Sequence, residues 1–196
     1  QLVRSHVPDI IVSDVMMPRM NGYKLCKTIK EDINISHIPV ILLTARDDRQ
    51  SQISGYKNGA DGYLSKPFEV EMLMELIRNR LKNREYTKKR YLNAGLIPTP
   101  EESTISLTDE TFLIKLNSII QENIDNTNLG IQFICQEVGL GRSSLYNKLK
   151  ALTGMGANEY ISKLRIEKAI TLISGTDMPF SEIAEKTGFT TPSYFS

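Results

Sequence analysis

A chain of 196 residues, 40% hydrophobic and 24% charged, has the length of two small domains and the composition to pack a core in each. Its longest apolar runs fall far short of the ~18 residues a membrane-spanning helix needs, and no signal-peptide pattern follows Gln1. The net charge is +1, and residues 83–196 carry 12 Lys and Arg against 13 Asp and Glu, a net of −1; any nucleic-acid contact must therefore come from local charge placement.

Residues 1–82 alternate short apolar runs with amphipathic stretches. Ile10-Ile11-Val12, Val40-Ile41-Leu42-Leu43 and Tyr63-Leu64 read as strands, while Tyr23 to Ile33, Arg49 to Asn58 and Val70 to Leu81 carry helical periodicity. Unbroken apolar strands alternating with helices predict a doubly wound parallel sheet covered on both faces. Asp14, Thr44 and Lys66 close the three runs, and in such sheets the working crevice lies beyond the carboxyl ends of the strands. A carboxylate, a hydroxyl and an ammonium gathered there suit phosphoryl transfer: the carboxylate attacks, Lys66 balances the added charge, and Thr44 donates to a phosphoryl oxygen. Pro18 and the Asn21-Gly22 pair turn the chain away from Asp14, and Lys66-Pro67 is a candidate cis peptide. Singly, each polar residue also fits a structural role, as a cap, a strand end or a surface charge; the combination in this order is what points to a site.

The segments SDVMMPRMNGY, ILLTA and GADGYLSKPF resemble the receiver domain of two-component response regulators. The resemblance implies that Asp14 is the phospho-acceptor, Thr44 the switch hydroxyl, Lys66 the phosphate-binding lysine and Tyr63 the aromatic that changes rotamer on activation. It also implies Asp14 and the Met16 backbone carbonyl as magnesium ligands. A receiver normally adds a first strand ending in an acidic pair, whereas this sequence opens at QLVRSHVPD, which resembles the tail of the family's second helix. Mg2+ is thus expected for phosphorylation of an intact receiver, but weak metal binding, inefficient phosphorylation and an unpaired edge on the Asp14 strand are expected of this chain by itself.

Periodicity fades from 83 to 107, where Arg84, Lys88, Lys89 and Arg90 precede IPTPEEST; this reads as a helix tail running into a linker, its basic cluster either solvated or touching phosphate. Thr108 is the expected cap of the next helix, with Asp109 and Glu110 in its first turn and Leu107 stapled onto Phe112. Residues 108–196 then show only helical patterns, hence an all-α domain. Cys26 and Cys135 fall far apart inside helical patterns and read as core residues of a protein from a reducing compartment.

IQFICQEVGL (131–140) and FSEIAEKTGF (180–189) repeat one pattern 49 residues apart. Ile131, Ile134, Cys135 and Val138 share a helical face, as do Phe180, Ile183, Ala184 and Thr187; each helix stops at a glycine, Gly139 or Gly188, suited to the left-handed cap. That is helix-turn-helix punctuation, twice. In RSSLYNKLKAL, Leu145, Leu149 and Leu152 form the core side, while Ser143, Tyr146, Asn147 and Lys150 form a polar face suited to base edges, with Asn able to pair with adenine. Arg142, Lys148 and Lys150 are expected phosphate contacts, and residues 142–168 hold six Lys and Arg against two acids.

This half resembles the AraC-type DNA-binding domain, in which one long helix joins two helix-turn-helix units. Asn158 to Ser174 fits that connector, with Tyr160, Ile161, Leu164, Ile170 and Ile173 apolar. GFTTPSYFS resembles the opening of the second recognition helix, and Thr191, Pro192 and Ser193 would approach DNA there; the sequence stops at Ser196, before that helix is complete.

The expected organisation is a partial receiver domain at 1–82, a linker at 83–107 and an incomplete AraC-type domain at 108–196. The expected function is a non-enzymatic, phosphorylation-responsive transcriptional regulator in the cytoplasm. Its expected partners are a histidine kinase, in trans or in the same polypeptide, promoter DNA and a second copy of the chain, with no membrane contact from this segment. Alternatives are the cytoplasmic tail of an inner-membrane hybrid sensor kinase and an interaction or dimerisation module that reads no DNA. A phosphatase of the haloacid-dehalogenase type would place a second Asp where Met16 stands.

Overall fold

The structure is a computed structural model that describes residues 3, 6–45, 59–94 and 106–189. The helical pattern at 49–58, residues 95–105 of the linker, and Thr191, Pro192 and Ser193 lie outside the described residues. The chain divides into two compact units, Gln1–Lys88 with Pro98–Glu110, and Lys89–Ile97 with Thr111–Ser196.

The first unit is built on strands β1 (Ile11–Asp14), β2 (Val40–Thr44) and β3 (Gly62–Ser65), ordered β1-β2-β3 and parallel throughout. Helix α1 (Gly22–Glu31) covers one face: Cys26 and Ile29 pack in one cluster with Val40 and Leu42. Helix α2 (Val70–Ala94) covers the other, with Leu76 against Gly62 beside Ile41. The central strand is therefore buried on both sides, with Val40, Ile41 and Leu42 all at 0% exposure. Burial of side chains such as Ile41 and Leu42 is worth about 1.5–3 kcal/mol each and makes β2 the anchor of the unit.

One expectation changes here, and the helix tail expected after 82 gains its end point. Val12 is 39% exposed; it lies on β1, at the edge of the described sheet, in register with Ile41. Helix α2 runs to Ala94, well beyond Leu81. The added segment has no apolar stripe, but its Lys, Arg, Glu and Leu are good helix formers, and Lys88 pairs with Glu85 at 2.8 Å. Arg84 belongs to neither reading of the basic cluster: it is half-buried and donates to the Asp9 carbonyl at 3.3 Å.

Helix α3 (Leu107–Glu122) and its cap fall two residues earlier than expected. Ser106 takes the capping role, its hydroxyl accepting from the Asp109 N–H at 3.2 Å. The Thr108 hydroxyl instead donates to the Lys30 carbonyl at 2.9 Å, and Leu107 is 78% exposed rather than stapled.

The second unit adds α4 (Ile131–Val138), α5 (Arg142–Thr153), α6 (Ala157–Gly175) and α7 (Phe180–Lys186). Leu113, Leu116, Ile120, Ile134, Leu145, Leu149 and Ile183 are at most 1% exposed and form its centre. Along α6, Tyr160, Ile161 and Leu164 are buried as expected, while Ile170 and Ile173 are 57% and 41% exposed. Phe180 at the start of α7 is 58% exposed, so its repeat face is carried by Ile183, Ala184 and Thr187 alone.

Candidate functional sites

The carboxyl ends of the strands are brought level by the sheet itself. Asp14 is in register with Leu43, and Thr44 with Ser65. Two backbone bonds extend the ladder past the strands: Val15 N–H to the Leu43 carbonyl at 2.7 Å, and Lys66 N–H to the Thr44 carbonyl at 2.6 Å. Lys66 thereby reaches Asp14, and its ammonium donates to Asp14 Oδ2. The Met16 N–H donates to the other oxygen, Oδ1, at 3.1 Å. The Lys66 hydrogen bond, with smaller help from the Met16 N–H, holds the Asp14 carboxyl below its ordinary range. Both side chains stay reachable, 34% exposed for Asp14 and 41% for Lys66. The Lys66-Pro67 peptide is cis.

The turn after β1 is as specific as the carboxylate. Gly22 N–H returns to the Val15 carbonyl at 2.9 Å, and a Cβ at Gly22 would stand 2.5 Å from the Asp14 carbonyl oxygen and 2.9 Å from Val15 Cα. Only glycine lets α1 begin that close to the strand end. Asn21 caps α1, its side chain accepting from the Lys24 N–H at 2.8 Å. Sequence reasoning caught the Asn-Gly turn and missed its reason, this close approach to Asp14.

Thr44 and Tyr63 sit differently from Asp14 and Lys66. Thr44 is 3% exposed, at the end of the middle strand. Tyr63 is half-buried on the α1 side of the sheet, its hydroxyl 3.3 Å from that of Tyr23. Tyr23, and Ser13, whose hydroxyl donates to the Asp14 carbonyl at 3.1 Å, were not singled out by the sequence. Among the described residues no three His, Cys, Asp or Glu side chains are grouped to hold a metal ion. Asp14 offers one carboxylate with both oxygens already accepting hydrogen bonds. That donor set does not fit Mg2+, which demands near-octahedral oxygen coordination.

In the second unit, α4 ends at Gly139 in the left-handed conformation (φ 77°), with the Gly139 and Leu140 N–H groups both returning to the Cys135 carbonyl. The chain turns through Gly141 into α5, which ends at Gly154 (φ 76°). Gly188, directly after the C-cap Thr187 of α7, is also left-handed (φ 71°), so a left-handed glycine closes both helix stops of the repeat. On α5, Leu145 and Leu149 face the core, while Arg142, Ser143, Tyr146 and Lys150 are exposed and Asn147 is half-buried. Five of the six expected α5 contacts therefore share an accessible surface.

Lys148 is the correction. It is 0% exposed, and its ammonium lies 5.1 Å from the centroid of the Phe112 ring. A phosphate cannot reach a side chain so enclosed; the long stem has carried the charge into the packing beneath α5.

Residues 1–78 match the family described as response regulator receiver domain, and residues 134–196 match a helix-turn-helix domain. Histidine kinase P4 of Formosa agariphila is 42% identical over all 196 residues of this chain, which span 14% of that protein. Response regulator Rre1 of Synechocystis is 39% identical over 79 residues, 40% of this chain and 34% of that one. The probable transcriptional regulator ycf29 of Pyropia yezoensis is 30% identical over 162 residues, 77% of this chain and 73% of that one.

Proposed function

This chain belongs to the response regulators, joining a receiver domain to a helix-turn-helix domain, and from that premise we propose that phosphorylation at Asp14 controls promoter binding through α5 and so regulates transcription. The observation that carries the proposal is the Lys66 ammonium hydrogen-bonded to an exposed, ionised Asp14 at the level ends of parallel strands. An ionised carboxylate is the competent nucleophile: an Asp14 oxygen forms the bond to phosphorus as the donor's bond to phosphorus breaks. Lys66 then stays beside the acyl phosphate and balances its charge. Thr44, buried before the reaction, turns its hydroxyl toward a phosphoryl oxygen, and Tyr63 leaves its Tyr23 contact as the second switch element. The metal that assists phosphorylation of receivers would take Asp14 and the Met16 carbonyl plus ligands other than the described residues.

On the DNA side, Asn147 and Ser143 would meet base edges while Arg142 and Lys150 meet phosphates; Thr191, Pro192 and Ser193 would serve a second recognition helix. The partners are a histidine kinase, promoter DNA in the cytoplasm and a second copy of the chain, with no enzymatic turnover by this chain. One observation favours a second reading, in which the kinase is part of the same membrane-anchored polypeptide: the match to Histidine kinase P4 runs the whole length of this chain.

Titration against a promoter-fragment library at fixed salt, with and without acetyl phosphate and magnesium and alongside Asp14→Ala, tests the proposal. Selective binding that strengthens only with the phosphodonor and only with Asp14 present supports the switch. Selective binding indifferent to both leaves a DNA reader without a switch, and no selective binding favours an interaction module.

A further inference from the structure

A groove of about 360 Å³ opens on the exposed face of α5. Its apolar part comes from Leu145 and Ala157, which are 1% and 6% exposed, and the half-buried Ile131 at the start of α4. Its rim is polar: Arg142, Ser143 and Tyr146, all exposed, and the half-buried Asn147. Among the described residues no acidic side chain lines it, and Arg142 gives the mouth a positive charge. An apolar pit beside an amide and a guanidinium is an unusual feature for a helix face that is otherwise polar.

Resting on the DNA-binding reading above, we propose that this groove is a thymine pocket, taking the 5-methyl group of a thymine whose neighbourhood Asn147 reads as adenine. Thymine is the one base that carries a methyl group on its major-groove edge, and its partner adenine offers the N7 acceptor and N6 donor that an asparagine amide satisfies together. Ile131, Leu145 and Ala157 supply the dry wall a methyl group needs, and Arg142 draws the phosphate backbone to the mouth of the same groove. Apolar and amide groups so placed make α5 selective for A·T-containing sequence, and two of the three apolar wall residues, Ile131 of α4 and Ala157 of α6, lie outside the recognition helix.

The test replaces each thymine of a library-selected site, one at a time, by deoxyuridine, which removes the methyl group and nothing else. Binding of the full chain is followed by fluorescence anisotropy at fixed salt, for the wild type, Ile131→Ala and Asn147→Ala. Burial of one methyl is expected to make one uridine position bind about three- to five-fold more weakly in the wild type. Ile131→Ala loses that sensitivity at the same position, whereas Asn147→Ala keeps it and loses its preference for adenine. Selective binding with less than a twofold response at every thymine overturns the pocket and leaves the DNA-binding reading standing. A uridine response undiminished in folded Ile131→Ala overturns it equally, and the wild-type scan decides the matter should that variant fail to fold. Absence of any selected site sinks the DNA-binding reading, and the pocket with it.

Discussion

The Lys148 ammonium sits over the face of Phe112, 5.1 Å from the ring centroid, with no part of the lysine exposed. Helix α5 is thus fastened to α3 by a charged residue whose four-carbon stem packs like a hydrophobe and whose head is held by the ring quadrupole. Lys148→Ala removes the stem and is expected to cost about 2–4 kcal/mol in urea denaturation. Lys148→Met keeps the stem and is expected to cost less than Lys148→Ala, because the apolar packing of the stem is retained. The same Met variant should leave the salt dependence of DNA binding unchanged, whereas Arg142→Ala should reduce the slope by about one counterion. A reduced slope for Lys148→Met would place its charge at the phosphates.

Lys66 governs the titration of Asp14. The folded carboxyl lies below its ordinary value, chiefly through the Lys66 hydrogen bond. A depressed carboxyl contributes stability that is present above the unfolded value of about 3.9 and is lost as pH falls through the folded one. Lys66→Met is expected to move the Asp14 midpoint up toward the ordinary carboxyl range, read by carboxyl carbon NMR. The shift should shrink in high salt, since both side chains are substantially exposed. An unchanged midpoint would mean that the pair does not form in solution.

Gly139 and Gly188 end their helices in the same left-handed conformation, yet they should respond unequally to substitution. A Cβ at Gly139 meets nothing within 4 Å, so Gly139→Ala carries only the conformational cost of about 1–2 kcal/mol. A Cβ at Gly188 would collide with the Ile124 carbonyl oxygen and lie 2.7 Å from Arg165 Nη2. Arg165 itself donates through Nε to that carbonyl at 3.2 Å, which leaves the oxygen little freedom to retreat. Gly188→Ala is therefore expected to cost about 2–4 kcal/mol. Equal urea midpoints for the two variants would contradict this packing.

The two thiols should separate cleanly. Cys26 is fully buried, and burial pushes its thiol up to about 11; Cys135 is half-buried. An aromatic disulfide reagent at neutral pH should label Cys135 in the native protein and Cys26 only as fast as the first unit opens. Peptide mass spectrometry assigns the label, and rapid native labelling of Cys26 would refute the packing of α1.

The three strands and their polar ends were legible because short apolar runs of two to four residues, followed by Asp14, Thr44 or Lys66 and alternating with helical stretches, leave few alternatives to a parallel sheet. The helix stops at Gly139 and Gly188 were legible for a similar reason, since a glycine after an amphipathic run has a single mechanical use there. Lys148 was not. Its position on the wheel borders the buried arc, and sequence cannot say whether a long stem turns outward to solvent or inward to a ring on another helix. Ile170, Ile173 and Phe180 show the converse: periodicity marks which side chains share a stripe, and a stripe does not name what packs against it. The helix tail after Leu81 was legible as a tail, but its end at Ala94 was not, because helix propensity without an apolar face leaves no periodic trace.

The level strand ends have a consequence for how this sheet can go wrong. Side chains alternate across a strand, so sliding β2, with β3 still paired to it, by one residue against β1 would exchange Leu43 for Thr44 beside Asp14 and turn the inner set of side chains outward. The slip would also carry β3 and its Lys66 about 3.3 Å along the strand axis relative to β1, more than a hydrogen bond can stretch. The Lys66–Asp14 contact works as a caliper: a one-residue slip at either strand pairing by itself opens it, so a signal from that one pair reports on the alignment of all three strands.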